Sequence, residues 1–523
     1  MPVAVLVFIA VITWGKAGLA DGIVRYLLFG IFMFSLAQNR KMYMANIRRP
    51  VVLLVYSVIL IIYIISFFNP SHRGISFEDL KETSFSKRIE NSNNPEKSQF
   101  LANRFKSIMQ LVEHSPDKSL AIFFDLKSAY RIKYKPNETD DLWNLLDEIE
   151  QKTKINNISF LPSLVTNNQN SFYDFIFWFL CLSIGSIIVY NSYFFSQERF
   201  FLHVISINSS LLAIIGILQK IYYIPSDNVL EILGVWDAPE PRYYFSTFTY
   251  KNHWSAFALL SIYIIASLLF KELLVWGKDC LRSKHFIFLI LCLVPIIISI
   301  PFSGSRSGTI LLLISFILIT YIYLDSLTNY SLLKKIYFTS LIIWIPIFLF
   351  FSLLFFKSET SKEMISVTNL QFKAFENGKM PLRWHLWQDG IRIGFMKPIL
   401  GHGFNSYSSI NPKYQSHHVR NERSVGLEAA HVPYIPLVAH VHNDIIEWWC
   451  EWGLLGILLF LAPSLIFVLG GILGNFHPEV KFLLCGVLTI FIYSVVDFPT
   501  RTPACLALTS VCFWMGIKKA RLG

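Results

Sequence analysis

The chain alternates between long runs of apolar residues and polar segments of unequal length. Many of the apolar runs are about 17–25 residues long, which is the length that an α-helix needs to cross a bilayer. We predict membrane helices at 3–14, 22–37, 50–68, 172–195, 199–222, 252–276, 284–302, 308–324, 333–356, 444–473, 480–497 and 503–517. The pattern therefore predicts an all-α polytopic membrane protein with about 12 transmembrane helices.

Two polar segments are much longer than the others and divide the chain into five regions. We predict N-terminal membrane helices at 1–68, an insert domain at 69–171, a membrane core at 172–356, a long loop at 357–443 and C-terminal membrane helices at 444–523. Within the insert, 96–113 and 138–153 have a helical pattern, whereas the apolar run Ser119–Leu126 is typical of a buried strand. The insert is therefore predicted to be a small α/β-like domain.

Composition supports the assignment to the membrane. Hydrophobic residues make up 54% of the chain and charged residues only 15%, whereas about 25% of an average soluble chain is charged. The net charge of +11 does not indicate a nucleic-acid partner, because Lys and Arg cluster in the short loops between apolar runs. There they set the topology and lie near anionic lipid headgroups.

The distribution of Lys and Arg predicts the orientation. With the N-terminus inside, the connections on that side and the C-terminal tail hold 15 Lys and Arg, and the short loops on the other side hold five. Positively charged loops stay on the cytoplasmic side of a membrane. We therefore expect cytoplasmic termini, with the insert and the long loop both extracytoplasmic.

The long loop is rich in histidine and ends in the most informative junction of the chain. It holds seven of the 13 His, and His442 and Asn443 stand at its end, directly ahead of an apolar run. Neither the adjacent His417 and His418 nor the pair of His440 and His442 matches a closed zinc pattern. The seven Cys lie in or beside apolar runs, so the sequence predicts neither a disulfide framework nor a Cys-based zinc site.

Three carboxylates follow this junction on one face of the next predicted helix. Asp444, Glu447 and Glu451 are spaced at i, i+3 and i+7. Acidic groups near a helix N-terminus are stabilised by the helix dipole, so a capping role is one interpretation. Charge that continues into a bilayer-entry region is costly, so a functional role is the other.

Several motifs resemble, in their order, those of O-antigen ligases and their polymerase relatives. His442-Asn443, then nine residues, then Gly453-Leu-Leu-Gly456 fits the His-Asn/Ser/Gln-x9-Gly-x-x-Gly signature of that family. The other elements are Thr247-Phe248 with Asn252 and with Ser246 where the family has Gly, Ser305-Arg306-Ser307-Gly308, the stretch 383–407, and the weaker Val496-Asp497-Phe498-Pro499. The resemblance covers roughly residues 200–517 and leaves out the insert.

The resemblance implies a membrane glycosyltransferase that moves a glycan from a polyprenyl diphosphate, such as undecaprenyl diphosphate, to a hydroxyl acceptor. The transfer takes place outside the cytoplasmic membrane, with inversion at the anomeric carbon. It needs neither a metal nor a cofactor. The implied partners are the lipid-linked glycan donor, an acceptor hydroxyl on lipid A-core, a glycan or a protein, and membrane lipids, with no nucleic acid.

This reaction needs cations beside the departing diphosphate. The planar guanidinium group of arginine binds phosphate oxygens bidentately and keeps its charge. Lys and Arg outside the membrane are unusual under the positive-inside rule, yet four lie at predicted outer boundaries: Arg242, Lys251, Arg306 and Arg501. We predict that these four residues bind the donor diphosphate.

The predicted catalytic residues are His442 and Arg383. The imidazole of His442 has an ordinary pKa near 6.5, so it accepts a proton at working pH and can activate the acceptor hydroxyl. Asn443 and Glu447 are predicted to support it. We expect the guanidinium groups and the imidazole to converge at the periplasmic rim of a bacterial inner-membrane protein.

Several alternatives stay open. The signature is shared by ligases, polymerases and protein O-oligosaccharyltransferases, and we favour the ligase slightly. A secondary transporter is the alternative of a different class, because about twelve helices is a common size for carriers. Transporters, however, place charged groups near the bilayer midplane and have two related halves, and neither pattern is found here. A sensor would need a cytoplasmic output domain, and the predicted cytoplasmic loops are short.

Overall fold

A computed structural model describes residues 50–112, 116–164, 169–190, 198–222, 231–232, 236–237, 243–326, 359–424 and 438–520. The predicted membrane helices at 3–14, 22–37 and 333–356 lie outside these residues. The regular elements of the described residues are helices, apart from isolated bridges and one antiparallel pair of two-residue strands. These strands are β1 (Glu231–Ile232) and β2 (Trp236–Asp237), and Glu231 pairs with Asp237.

The described α-helices are numbered here in chain order. They are α1 (Pro50–Phe68), α2 (Phe77–Glu82), α3 (Phe85–Glu90), α4 (Pro95–Leu111), α5 (Pro116–Tyr134), α6 (Asp141–Thr153), α7 (Gln169–Tyr190), α8 (Glu198–Ile221), α9 (Lys251–Trp276), α10 (Lys284–Phe302), α11 (Arg306–Ser326), α12 (Glu359–Glu376), α13 (Leu382–Met396), α14 (Tyr407–Tyr414), α15 (His417–Ser424), α16 (Asp444–Gly456), α17 (Ala462–Leu473), α18 (Pro478–Tyr493) and α19 (Pro503–Lys519). A π-turn at Ile457–Leu461 joins α16 to α17, and short 3₁₀ turns lie at Gly277–Arg282 and Pro499–Arg501.

Five helical segments among the described residues are long and apolar enough to cross a bilayer. They are α8, α9, α10, α11 and the combined segment Asp444–Leu473. Shorter apolar stretches occur at Ile59–Phe68 in α1 and Asp174–Ser183 in α7. The predicted runs at 480–497 and 503–517 also form helices, α18 and α19. The total of about 12 transmembrane helices stays a prediction.

The described residues form two compact units. The first unit contains the described parts of Phe177–Lys373 and Pro463–Gly523, and the second contains those of Val51–Ile176 and Ala374–Ala462. Helix α9 lies at the centre of the first unit, where it packs against α8, α10, α11, α18 and α19. Because α9 is apolar on every side, it has no face for water and is buried almost along its whole length.

Small hydroxyl side chains join α9 to its neighbours. Ser261 Oγ lies 2.8 Å from Ser209 Oγ of α8, and Trp254 Nε1 donates to Ser299 Oγ of α10 at 3.0 Å. Serine suits this packing because it is small and its hydroxyl also bonds to the preceding helical turn, as Ser261 does to the Phe257 carbonyl.

The second unit joins the insert to the long loop through one hydrophobic core. Apolar residues of α2–α6 and of α13, α14 and α16 belong to the same buried cluster. Two ion pairs connect the same parts: Lys413 Nζ lies 2.6 Å from Glu150 Oε1, and Arg420 Nη2 lies 3.0 Å from Asp125 Oδ1. The side chains of Arg420 and Asp125 are each 5% exposed, so this pair is part of the interior.

The insert is helical, and the predicted strand at Ser119–Leu126 is wrong. These residues belong to α5, and each of them is buried. A helix that is buried on all sides has no polar stripe, so its continuous apolar run has the same sequence pattern as a buried strand. The α/β-like assignment of the insert therefore fails, whereas the helices predicted at 96–113 and 138–153 are confirmed as α4 and α6.

Candidate active site

The turn at His442 and Asn443 begins helix α16. Asn443 is the N-cap residue: its Oδ1 accepts a hydrogen bond from the Ile446 N–H at 3.0 Å, and its carbonyl oxygen accepts one from the Glu447 N–H at 3.0 Å. Asparagine is among the most favourable N-cap residues. His442 has a φ of 58°, which lies in the left-handed region that residues other than glycine rarely adopt. The cap thus fixes an unusual backbone conformation at the predicted catalytic histidine.

Glu447 holds the residues that precede this turn. Its side chain is 1% exposed. Its Oε1 lies 2.9 Å from His440 Nδ1, and its Oε2 accepts a hydrogen bond from the Val441 N–H at 3.0 Å. Glu447 therefore anchors both neighbours on the N-terminal side of His442.

Helix α13 packs against the same turn. Trp387 Nε1 donates to the His442 carbonyl oxygen at 3.3 Å. Arg383 lies one helical turn before Trp387, on the same side of α13, and its side chain is half-buried. The structure thus places both predicted catalytic residues, His442 and Arg383, in the second unit.

Two glycines let α13 approach α16 closely. A Cβ atom on Gly390 would lie 2.8 Å from Ile446 Cγ2, and one on Gly394 would lie 3.0 Å from the Trp449 ring. Both glycines face α16, one helical turn apart. Replacing either by a larger residue would push the helix that carries Arg383 away from the helix that follows His442.

The glycines of the His-Asn-x9-Gly-x-x-Gly signature have a structural explanation. Gly453 interrupts α16 with φ 65° and ψ −175°, a conformation that only glycine adopts readily. A Cβ atom there would lie 2.2 Å from the Ile399 carbonyl oxygen, and one on Gly456 would lie 2.4 Å from Trp452 Cβ. The glycines of the signature therefore lie where the helix is broken and where another segment approaches it closely.

That segment is the turn 397–403, which bonds to both sides of the break. The N–H groups of His402 and Gly403 donate to the carbonyl oxygens of Cys450 and Glu451 at 2.7 and 2.8 Å. Beyond the break, the N–H groups of Leu454 and Leu455 donate to the carbonyl oxygens of Pro398 and Ile399 at 2.8 and 3.0 Å. The turn thus replaces the helix's own hydrogen bonds across Gly453.

His402, at the centre of this turn, has a structural role. It is buried, and its Nε2 donates to the Ile393 carbonyl oxygen of α13 at 3.1 Å. Burial lowers the pKa of His402 to about 4, so the ring is neutral at physiological pH. This histidine joins α13 to the turn 397–403.

In the first unit, Arg306 opens helix α11 and Lys251 opens helix α9. The Arg306 side chain is exposed, and its Nη1 donates to Thr368 Oγ1 at 3.2 Å and to Gln371 Oε1 at 2.6 Å, both on α12. Gly304 has a φ of 76°, and a Cβ atom on it would lie 3.5 Å from Lys251 Nζ. Two predicted cations thus lie at neighbouring helix N-termini, where the helix dipoles also favour an anion.

The Ser305-Arg306-Ser307-Gly308 motif is fixed by hydroxyl groups. Ser305 Oγ accepts from the Gly308 N–H at 3.1 Å and lies 2.9 Å from the Tyr493 hydroxyl oxygen of α18. A Cβ atom on Gly308 would lie 2.5 Å from Ser255 Cβ, so this glycine permits the contact between α11 and α9. The small residues around Arg306 therefore set the position of its helix.

Two of the resembling motifs meet in the first unit. Asn252 Nδ2 donates to Asp497 Oδ2 and, at 2.9 Å, to the Tyr250 hydroxyl oxygen. The ring of Tyr250 stacks on that of Phe498, with centroids 5.6 Å apart. Asn252 and Asp497 are both buried. The segment that begins with Lys251 is thus joined to the segment that leads to Arg501, which lies half-buried in the 3₁₀ turn after Asp497.

Ser246 explains why the family pattern has glycine at its position. Phe245 and Phe248 exchange both backbone hydrogen bonds, at 2.9 and 3.0 Å, around a two-residue turn. Ser246 is the first residue of that turn and has a φ of 55°. Glycine is favoured at such a position because it has no Cβ.

Lys220 is a buried cation that the sequence reasoning missed, in the last turn of α8. Its Nζ lies 5.3 Å from the centroid of the Tyr244 ring, and its charge interacts with that of Lys251. A lysine at the end of an apolar helix is commonly interpreted as snorkelling to the membrane surface, so no sequence signal marked it.

His440 was also missed, although the carboxylate seven residues downstream could have indicated its contact with Glu447. Of the predicted site residues, Arg242 lies outside the described residues. His442, Arg383, Asn443 and Glu447 lie together in the second unit, and Lys251, Arg306 and Arg501 lie in the first.

The comparison with protein families agrees with this geometry. Residues 288–461 match the family model described as O-Antigen ligase. The matched segment contains Arg306, Arg383, the turn 397–403 and the whole signature from His442 to Gly456. It supports the resemblance to the O-antigen ligase family and indicates an O-antigen ligase-like membrane glycosyltransferase.

The O-antigen ligase match and the apolar helices together indicate a multi-pass protein of the inner membrane. The match leaves out the insert, Lys251, Asn252 and Arg501. A search of curated proteins found no match.

Proposed function

We propose that the protein transfers a glycan from a polyprenyl diphosphate to a hydroxyl acceptor at the periplasmic face of the inner membrane, as an O-antigen ligase. The observation that carries this proposal is the His442 turn. It lies within the O-antigen ligase match, and its φ of 58° is held by an N-cap, by Glu447 and by Trp387. Such a costly conformation at a polar residue is typical of a functional site.

In the proposed reaction, the acceptor oxygen attacks the anomeric carbon of the lipid-linked sugar. A new C–O bond forms, the bond from that carbon to the diphosphate oxygen breaks, and the configuration inverts. His442 takes the proton of the acceptor hydroxyl. Arg383 is proposed as the second catalytic residue, and Asn443 and Glu447 keep the turn in place.

The departing lipid diphosphate keeps the electron pair of the broken bond, so its negative charge grows as the reaction proceeds. Arg306, Lys251, Arg242 and Arg501 are proposed to bind it. Fixed cations stabilise such a developing charge more than they stabilise the ground state, and this difference accelerates the step. The adjacent N-termini of α9 and α11 support the assignment of Lys251 and Arg306.

Deletion of the gene tests the class of transferase. Loss of long glycan chains on lipid A-core, with lipid-linked polymer accumulating, supports the ligase. Cores capped by single repeats indicate a polymerase instead, and loss of glycosylated protein indicates a protein O-oligosaccharyltransferase. Unchanged surface glycans would contradict all three and favour the transporter.

Complementation with variants then tests the site. His442→Ala should reduce glycan attachment by about 10²–10⁴-fold, the usual contribution of a general base, while the protein still inserts in the membrane. His417→Ala is the matched control, because His417 is an exposed histidine of the same long segment. Near-normal attachment by His442→Ala, at equal protein levels, would overturn the catalytic assignment.

A further inference from the structure

The insert carries exposed apolar side chains in one short loop. Residues 155–164 form no regular element, and within them Ile158 is 52% exposed and Phe160 is 73% exposed. Ile155, at the start of the loop, is also exposed, and so is Lys154, the residue before it. Large apolar side chains side by side on a non-helical loop indicate contact with another apolar phase or molecule.

Hydrogen bonds fix this loop beside the end of α1. Asn69 Nδ2 donates to the carbonyl oxygens of Ile158 and Pro162 at 3.0 and 3.2 Å, and Asn69 Oδ1 accepts from the Ile158 N–H at 2.8 Å. The Leu164 N–H donates to the Ser66 carbonyl oxygen at 3.0 Å. The loop therefore stays at the level at which α1 ends.

That level has the properties of a membrane boundary. Helix α1 is 19 residues long without a charged side chain, and its last residue, Phe68, is 78% exposed. The loop leads into α7, whose Phe175 ring stacks on Tyr63 of α1 with centroids 3.7 Å apart. This ring contact joins the last part of α1 to the first part of α7, and the loop lies beside the end of α1.

We propose that the loop 155–164 inserts Ile158 and Phe160 into the headgroup and acyl boundary of the membrane lipids. Aromatic and aliphatic side chains gain free energy by leaving water at this depth, and a neighbouring lysine attracts anionic headgroups. Lipid is favoured over a protein partner because hydrogen bonds hold the loop beside the end of the apolar helix α1.

The proposal gives the insert a mechanical role. Lys397 Nζ donates to the Leu161 carbonyl oxygen at 2.8 Å and to Ser163 Oγ at 2.9 Å. Lys397 begins the turn that bonds across the break in α16. The depth of the loop in the lipid is therefore transmitted through Lys397 to the segment that holds the His442 helix, so the insert positions this part of the protein on the membrane surface.

Spin labelling in lipid tests the proposal with the full chain. Phe160→Cys is labelled in vesicles of phosphatidylethanolamine and phosphatidylglycerol, against the parent chain, whose seven cysteines are buried. Glu138→Cys is the matched control, because Glu138 is an exposed residue at the far end of α6, about 20 Å from the loop. Collisions with O₂ report lipid, and collisions with a water-soluble nickel chelate report water.

The label at Phe160→Cys should collide mainly with O₂, and the label at Glu138→Cys mainly with the nickel chelate, so the ratio of the two should reverse. Ile158→Cys provides a second position in case the first variant folds poorly, and it should behave like Phe160→Cys. Water-like accessibility at both loop positions would overturn the proposal and leave the loop as a surface for a soluble partner. This readout does not depend on glycan transfer, so it stands apart from the proposed function.

Discussion

Two regions of the molecule, one in each unit, fix their polar side chains by different means. Around Arg306 and Lys251, the first unit uses hydroxyl groups, such as Ser305 against Tyr493 and Ser255 against Ser303 at 3.1 Å. Between the insert and the long loop, the second unit uses charged pairs, such as Arg420 with Asp125. Hydroxyl groups bond to their own helix as well as to a neighbour and so tolerate an apolar medium, whereas charges there are costly. Each of these two regions therefore uses the polar groups that its surroundings tolerate.

We therefore expect similar substitutions to have different consequences for activity and stability in the two regions. Around Arg306 in the first unit, hydroxyl groups join α11 to its neighbour α18, so a change of charge geometry at Arg306 should affect activity more than folding. In the second unit, charge and backbone geometry build the scaffold of the His442 turn. Changes there should first affect stability.

Arg306→Lys is expected to have the largest effect. A lysine keeps the charge but cannot bind two phosphate oxygens with a planar fork, so glycan transfer should fall by about 10²-fold, with little change in the unfolding temperature. Transfer is measured in membranes at equal protein levels. Arg282→Lys is the control, because Arg282 is an exposed arginine paired with Asp279 outside this cluster. Full activity of Arg306→Lys would remove its proposed role.

Gly453→Ala should destabilise the second unit strongly. The added Cβ would lie 2.2 Å from the Ile399 carbonyl oxygen, in a backbone conformation that alanine avoids, so we expect a cost of about 2–4 kcal/mol. Thermal unfolding in detergent measures it. Gly470→Ala is the matched control, since a Cβ there would meet nothing within 4 Å. Equal unfolding temperatures for the two variants would contradict the description of the break.

Arg420→Met tests whether charge stabilises the second unit. It removes the Arg420 guanidinium from its buried pair with Asp125, and breaking a buried pair in this way costs about 3 kcal/mol in comparable cases. Lys152→Met removes a cation from an exposed pair with Glu82 and should leave the unfolding temperature unchanged. A double variant, Arg420→Met with Asp125→Leu, should recover most of the loss. Failure to recover would show that packing, and not charge, explains the effect.

The smallest expected effect concerns pH. Burial opposes ionisation of Glu150, but the charges of Lys413 and Lys127 outweigh it and lower the pKa of the carboxyl to about 2. Because this pKa is depressed on folding, the stabilisation is complete above pH 4.5 or so and is lost as the pH falls towards 2. Glu150→Gln should therefore lower the unfolding temperature near pH 6 and match the parent protein near pH 2. Parallel curves at all pH values would contradict this.

The sequence predicted the helices better than it predicted how they are held. Uniform apolar runs such as 252–276 and 284–302 have almost the bounds of α9 and α10, because membrane length and apolarity impose the same limits on both. The error at Ser119–Leu126 arose where burial on all sides erased the helical period. Periodicity fails as a signal when no face is polar.

The site was predicted in part. His442, Asn443 and Glu447 were selected as one group, and the structure brings them together because the cap and the carboxylate are local in the chain. The contact between Asn252 and Asp497 joins residues 245 positions apart, and no local rule predicts it. The left-handed backbone conformation at Ser246 and His442 could not be predicted from the sequence either, since residues other than glycine rarely adopt it.

The exchange of hydrogen bonds at Gly453 has a consequence for biogenesis and for evolution. In lipid, a helix whose carbonyl groups lack partners is strongly disfavoured, so we expect the break at Gly453 to form only when the turn 397–403 supplies its hydrogen bonds. We therefore expect that neither the segment 444–473 nor the turn 397–403 can be transferred to a relative without the other. A chimera that takes the signature helix from a relative should assemble only if the turn 397–403 comes from the same parent.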